Sequence, residues 1–337
     1  MSTMHQTLVI AEAGVNHNGD LLLAKKLVDA AVESGADVVK FQTFQASQLA
    51  TAHAEQASYQ RKVMHKSETQ LDMLKRLELQ PEDYPELIHY CQHRGIEFLS
   101  TAFDASSIDL VASLKLKRWK IPSGEITNLP YLRQVGSYGQ PVILSTGMAN
   151  LAEIEAALAV LEQVGLSRSQ ITVLHCTTEY PAPSEEVNLR AINTIAQAFG
   201  VSVGYSDHTD GIVVPIAAVA MGAIVIEKHL TLDRDMQGPD HKASLEPDHF
   251  SAMVNGIRTI ENAFGDGIKK PSRSEIPNKL IARKSLVASK LIKKGDIFSE
   301  LNVTSKRPGS GISPMHWDTL IGRTSSRQYL PDELLEW

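Results

Sequence analysis

The sequence predicts an α/β fold: a (β/α)8 TIM barrel followed by a small C-terminal domain. Three observations carry this. Eight short β-branched runs recur along the first part of the chain, and amphipathic stretches separate most of them. Strands alternating with helices argue for a parallel sheet, and eight such units over about 265 residues match a barrel of ~250. No G-x-G-x-x-G or G-x-x-x-x-G-K-[ST] follows any of the runs, which weakens the competing open doubly wound sheet.

In chain order the runs are Leu8–Glu12, Val38–Gln42, Glu97–Thr101, Trp119–Ile121, Val142–Ser145, Ile171–His175, Val201–Tyr205 and Ile224–Lys228. The first helix is expected over Leu21–Ser34, with Leu23, Leu27, Ala30 and Ala31 on one face. Further amphipathic stretches cover Leu151–Val164, Leu189–Phe199 and Pro247–Phe264. The gap between the second and third strands is longer than the others. It holds a polar stretch, Gln45–Glu68, and then a helical pattern through Leu87–Arg94. Such an excursion suits a lid or a subunit contact, and equally a neutral insertion. Ile212–Ile226, the longest apolar run, falls short of the roughly 20 residues of a membrane span. It reads as a buried helix running straight into a buried strand.

From Gly265 to Asn278 the composition changes to Gly-Asp-Gly, Lys-Lys-Pro-Ser-Arg and Ile-Pro-Asn, a linker pattern. The expected division is a catalytic barrel over 1–266, a linker over 267–281 and a small domain over 282–337. A domain this small has little core of its own and is expected to pack on the barrel or on a partner subunit.

Composition narrows the function classes. The chain has 337 residues, 43% hydrophobic and 21% charged, as an ordinary globular protein does. Its net charge of −6 argues against broad nucleic-acid or anionic-membrane binding. A small anionic substrate needs only a local cluster of Lys and Arg. The two cysteines, Cys91 and Cys176, make no disulfide framework and fit reduced thiols in a cytoplasmic protein.

In a barrel the active site stands where strands end. The expected strand ends present Glu12, Lys40, Gln42, Thr101, Lys120, Ser123, Glu125, Ser145, Tyr180, Ser206, Asp207, His208, Glu227, Lys228 and His229, with Asp240 beyond. A core would not choose so many charges, because an unpaired buried charge is expensive. Lys40 and Lys120, with the hydroxyls of Ser123, Ser145 and Ser206, suit phosphate and carboxylate groups. Glu12, Glu125 and Asp240 suit hydroxyl recognition or proton transfer. His208 and His229 lie near the ends of adjacent strands and suit a divalent metal with open positions, or a simple hydrogen-bonded pair. His89 and His93 also have ligand-like spacing. They sit at a helix tail, where the dipole favours His, and read as structural.

An ordered set of motifs resembles the sialic acid synthases. It comprises Ile10–Gly19 (IAEAGVNHNG), Lys40–Phe44 (KFQTF), Lys120–Glu125 (KIPSGE), Ser145–Met148 (STGM), Tyr180–Pro183 (YPAP), Gly204–His208 (GYSDH), Glu227–His229 (EKH), Gly238–His241 (GPDH) and Lys306–Ile312 (KRPGSGI). The resemblance covers the whole chain. It implies a barrel with a small antifreeze-like (SAF) domain, swapped between the subunits of a homodimer. The implied reaction joins phosphoenolpyruvate to an N-acylated mannosamine-type sugar with loss of phosphate, assisted by Mn2+ or Mg2+.

Carried over residue by residue, His208 and His229 hold the metal, and Lys40 and Lys120 hold the carboxylate and phosphate. Ser123, Ser145 and Ser206 complete the anion site, and Glu125 activates or orients water. Glu12, Gln42, Thr101, Tyr180 and Asp240 grip sugar hydroxyls, and Arg307 of the partner subunit reaches the N-acyl group. Some members carry Asn where Thr178 stands, and Thr offers no amide donor. Glu179 and His241 resemble the legionaminic acid synthases. The expected product is N-acetylneuraminate from N-acetylmannosamine. The alternative is N,N'-diacetyllegionaminate from a 2,4-diacetamido-2,4,6-trideoxy hexose. Two other classes compete: a pyruvate-using metal aldolase, and a relict barrel acting as a carbohydrate-binding protein.

Overall fold

A computed structural model describes residues 6–51, 54 and 69–337. Most of the polar stretch Gln45–Glu68 lies outside the described residues. The chain divides into two compact units, the second beginning at Gly265.

The first unit is the predicted barrel. Its strands are β1 (Leu8–Gly14), β2 (Val38–Thr43), β3 (Glu97–Ala102), β4 (Trp119–Ile121), β5 (Val142–Ser145), β6 (Ile171–Cys176), β7 (Ser202–Asp207) and β8 (Val225–His229). They pair in parallel in the order β3-β2-β1-β8-β7-β6-β5-β4, and β3 also packs beside β4. The strands are apolar through most of their length because a parallel sheet is covered on both faces. Register sets the site: Glu12 stands opposite Lys40 on one side and His229 on the other, and Gln42 opposite Thr101. Ser206 stands opposite Glu227.

The helices begin where short polar side chains satisfy free backbone N–H groups. Asp20 accepts from Leu22 N and Leu23 N ahead of the helix Leu21–Glu33. Asn150 and Glu153 form a capping box for Leu151–Gln163. The β2–β3 connection contributes the helices Gln70–Leu77 and Asp83–Arg94. The second ends at Gly95 in the left-handed region, and His89 and His93 are exposed near its end.

One expectation needs correction. Ile212–Ile226 is not a wholly buried helix running straight into a strand. The helix Val213–Ala220 is amphipathic in its setting: Pro215, Ala218 and Val219 are buried, while Val213 is 76% exposed. A helix on the outside of a barrel buries one stripe only. Its backbone N–H groups at Met221–Ala223 then close a turn before β8. Residues 267–281, the expected linker, are exposed throughout. They carry most of the helix Glu275–Ala282. Pro277 sits in its first turn, where no intrahelical N–H is needed.

The second unit pairs β9 (Ser285–Ala288) with β10 (Val303–Lys306), antiparallel. Leu286, Ile292, Phe298, Ile312, Leu320, Tyr329 and Leu335 make its own small core. In the barrel unit a separate apolar cluster joins Val15, Phe44, Ala46, Met73, Leu74 and Leu77, apart from the main core.

Candidate active site

A cavity of about 310 Å3 opens at the carboxyl ends of the barrel strands. Strand periodicity decides what enters it, since residues two apart share a face. Lys40 and Gln42 on β2, and Glu227 and His229 on β8, all line it. Asp207 and Lys228 do not. They point to the opposite face and form a fully buried ion pair at 2.5 Å. The strand-end inventory therefore mixes two faces, and this pair is structural.

At the floor four charges meet, all buried. Lys40 Nζ lies 2.6 Å from Glu12 and 3.8 Å from Glu227, and Lys120 Nζ lies 3.5 Å from Glu227. Neutral donors and acceptors complete the network. Gln42 Nε2 donates to Glu12 Oε1 at 3.2 Å, and Lys40 Nζ to Thr101 Oγ1 at 3.2 Å. Lys120 Nζ donates to Ser145 Oγ at 2.7 Å, and Ser206 Oγ to Glu227 Oε1 at 3.2 Å. Gly14 makes room for this. Its φ of +53° lies in the left-handed region, and a Cβ there would stand 3.3 Å from both Gln42 Nε2 and Glu12 Oε1.

The environments pull the two carboxyl groups apart. Burial raises Glu12 to about 7, against the opposing pull of Lys40 and with a further push from the Glu227 charge. Burial also pushes Glu227 up, but Lys120, Lys40 and His208 outweigh it and hold its carboxyl below the ordinary range. Lys40 is raised, the attraction of Glu12 and Glu227 exceeding the cost of burial. Lys120 is lowered, by burial first, which Glu227 opposes, and by repulsion from Lys40. Two titratable carboxyls with separated pKa values are the pattern of an acid–base site.

Across the floor, Ser123 Oγ accepts from Gly147 N at 2.9 Å and lies 3.3 Å from Cys176 Sγ. Gly147 is required by close approach. A Cβ would fall 2.1 Å from Thr178 Oγ1 and 2.9 Å from Ser123 Oγ. Thr178 thus lines the cavity and packs its hydroxyl over this turn.

His208 and His229 also line the cavity, with ring centroids 5.7 Å apart. Tyr180 packs on both, 4.1 Å from His208 and edge-on to His229 at 5.7 Å. His208 Nδ1 is 2.6 Å from Thr177 O, so it carries the proton and leaves the Nε2 lone pair open. Burial lowers the pKa of His208, and burial with the His208 charge lowers that of His229 well below the ordinary value. Both rings are neutral, and His229 Nδ1 is a buried nitrogen without a hydrogen-bond partner. This donor set fits a divalent ion. Among the described residues no third His, Cys, Asp or Glu joins it, so water and substrate would fill the remaining positions.

Asp240 reaches the cavity from the loop after β8, and burial raises it to about 6. That loop is tied to the loop after β1: Asn16 Nδ2 donates to Leu230 O and to Ser244 Oγ, and Ser244 Oγ donates to Asp240 O. The Asn16–Gly19 motif is thus a brace between loops.

One predicted site residue, Glu125, is not in the lining of this cavity. Glu125 is half-buried on the turn Ser123–Glu125. Its Oε2 accepts from Asn128 Nδ2 at 2.6 Å, and its side chain is absent from the cavity lining. Arg307, expected to act from a partner subunit, lies in the second unit, where its Nε donates to Ala282 O at 3.0 Å. Conversely, Glu227 is central to the floor although strand-end reasoning gave it no role. The signal was available: two inward lysines require a second inward carboxylate. Met73, Leu74, Leu77 and Phe103 also line the cavity, and nothing local in the sequence places them there.

Residues 27–269 match the NeuB family, and residues 283–337 match the SAF domain. The chain is 56% identical to an N,N'-diacetyllegionaminic acid synthase of Campylobacter jejuni over 98% of this chain and 99% of the relative. It is 48% identical to a protein of the same name from Legionella pneumophila, over 98% and 93%. Among solved structures, an N-acetylneuraminic acid synthetase from Leptospira borgpetersenii matches with a TM-score of 0.71. That pair is 32% identical over 82% of this chain and 90% of the other. By sequence and fold together, the chain belongs to the NeuB family and ends in a SAF domain.

Proposed function

We propose that the protein is a nonulosonic acid synthase joining phosphoenolpyruvate to 2,4-diacetamido-2,4,6-trideoxymannose, with N,N'-diacetyllegionaminate and phosphate as products. One observation supports this acceptor above the N-acetylmannosamine expected from the sequence: full-length identity of 56% and 48% to two proteins of that name. Relatives named for N-acetylneuraminic acid or its 9-phosphate stand at 32% and 34%.

The cavity's residues suit the reaction. Lys40 and Lys120 would hold the donor's carboxylate and phosphate, with the hydroxyls of Ser123, Ser145 and Ser206 beside them. A divalent ion, Mn2+ or Mg2+, held by His208 and His229 would polarise the acceptor's aldehyde. The donor's C3 forms the new C–C bond to the aldehyde carbon, whose oxygen becomes a hydroxyl. Water adds at C2, and the C2–O bond to phosphate breaks as the ketone forms. Of the water's two protons, one balances the new hydroxyl and one leaves with the phosphate. Glu12, raised to about 7, is the cavity carboxyl suited to exchange a proton near neutrality. In this geometry it takes precedence over Glu125, which faces Asn128. Gln42, Thr101, Tyr180 and Asp240 would fix the sugar's polar groups.

A second copy of this chain is the proposed partner. The helix Glu275–Ala282 has no buried residue and exposes Ile276, Leu280 and Ile281 by 56–67%. A face of that kind marks an interaction site. The same reading has the partner's Arg307 reach the acceptor's N-acyl group. The two free buried thiols suit a cytoplasmic setting.

The deciding experiment measures phosphate release from phosphoenolpyruvate with Mn2+, N-acetylmannosamine and the trideoxy sugar side by side, with mass detection of product. Higher kcat/KM with the trideoxy sugar is expected. Higher kcat/KM with N-acetylmannosamine would make the product N-acetylneuraminate, and silence with both sugars would overturn the reaction.

A further inference from the structure

The cavity combines a polar floor with an apolar patch. Lys120, Ser123, Ser145 and Ser206 come from β4, β5 and β7 or the turns after them, and they form its cationic, hydroxyl-rich side. The β1–β3 side carries the floor residues Glu12, Lys40, Gln42 and Thr101 and, beside them, an apolar group: Val15, Met73, Leu74, Leu77 and Phe103. Val15 follows β1, Phe103 follows β3, and the other three share one face of the helix Gln70–Leu77 in the β2–β3 connection. They belong to the separate apolar cluster described above, with Phe103 packed against it. None of the five offers a side-chain N–H or O–H, or an oxygen acceptor. A cluster whose only task was to seat the helix would not need to face the cavity.

An anionic donor takes the lysines and the hydroxyls near them, which leaves the apolar group to the far end of the acceptor. A hydroxymethyl group against this wall loses its hydration without gaining a partner. A methyl group gains contact and exposes nothing polar. We infer that Met73, Leu74 and Leu77, with Val15 and Phe103, form the specificity wall of the site and receive the C6 methyl of a 6-deoxy acceptor. The inference rests on the acceptor reading proposed above and deepens it, by naming the residues that select for the missing hydroxyl. An apolar wall discriminates only moderately against an added hydroxyl, so the selectivity is about tenfold to hundredfold in kcat/KM.

The test uses two acceptors that differ only at C6: 2,4-diacetamido-2,4,6-trideoxymannose and its 6-hydroxy counterpart, 2,4-diacetamido-2,4-dideoxymannose. The full-length enzyme with Mn2+ is expected to prefer the 6-deoxy sugar by that factor. Leu74→Asn, close to isosteric, places a polar amide in the wall. It is expected to bring the ratio below about threefold by raising KM for the 6-deoxy sugar, with KM for phosphoenolpyruvate unchanged. Val15→Thr should narrow the ratio in the same direction and keeps the assay decisive if the Leu74 variant does not fold. Met73→Leu, which keeps the wall apolar, should retain the ratio. A wild-type ratio near one, or a ratio unchanged in folded Leu74→Asn and Val15→Thr, overturns the wall. N-Acetylmannosamine is run in parallel: a wild-type preference for it overturns the acceptor reading, while the matched pair still reports on the wall.

Discussion

Replacing Glu227 by Gln removes one charge from the buried quartet and leaves its shape nearly unchanged. Among the described residues Lys120 makes its ion pair with Glu227 alone, at 3.5 Å. At an effective dielectric of about 20, a unit charge at that distance contributes about 5 kcal/mol. Lys40 keeps Glu12 at 2.6 Å and loses the weaker contact at 3.8 Å. Removing the carboxylate also removes its own desolvation cost, so the net loss is smaller than the Coulomb figure. One charge left without its partner in a buried pair typically costs about 3–5 kcal/mol.

Two treatments should restore Glu227→Gln. Inorganic phosphate would supply the missing negative charge, and a ligand that binds the folded state alone stabilises it. Raising the pH helps as well. The folded-state pKa of Lys120 is already below its ordinary value, and the substitution lowers it further. Where the unfolded chain binds more protons than the folded one, stability rises with pH. The deficit should therefore shrink as pH climbs through the folded pKa of Lys120 toward 10.5. Calorimetric Tm values for wild type and variant, at several pH values with and without phosphate, measure all three effects. A variant with wild-type Tm that responds to neither treatment would refute the account of the floor as a charge-balanced quartet.

Other perturbations should give equally distinct results. With its pKa raised from 4.5 to about 7, Glu12 contributes stability that is fully present below pH 4.5 and lost as pH rises through 7. Glu12→Gln should flatten stability over that window, and an unchanged slope would contradict the raised value. Donor binding near pH 7 should take up about half a proton in wild type and none in Glu12→Gln, read by calorimetry in buffers of different ionisation enthalpy. Gly147→Ala puts a methyl group 2.1 Å from Thr178 Oγ1, so KM for phosphoenolpyruvate should rise tenfold or more, by about 1.4 kcal/mol or more of lost binding; an unchanged KM would mean the turn can move. His208→Ala should fold normally and lose metal-dependent turnover. Wild-type rates in that variant, with metal and with chelator alike, would remove His208 from the metal site.

Much of this was legible in the sequence for a local reason. Each barrel strand is a short β-branched run ending in polar residues, so a list of strand ends is already a list of site candidates. Glu12, Lys40, Lys120, His208 and His229 come together as their positions at strand ends imply. The ordered motifs added the family. What escaped was whatever depends on which way a side chain faces or on which segment folds over it. Asp207 and Lys228 sit at strand ends yet form a buried pair outside the cavity lining, because successive strand residues alternate faces. Glu125 lies one turn beyond its strand and faces Asn128. The role of Glu227 follows only from the nearness of two lysines on other strands.

The same division holds for the apolar wall. The pattern of Met73, Leu74 and Leu77 says that one face of a helix is buried, but not against what. Only the packing of the β2–β3 connection over the barrel mouth turns that face toward the cavity. Sequence alone determined the barrel, its second unit and the chemical character of the strand ends, because those follow from periodicity and from the cost of burying charge. Tertiary structure decided which charges pair, which carboxyl keeps its proton near neutrality and which apolar surface meets the substrate. Those are set by distances between residues far apart in the chain, and no local pattern encodes them.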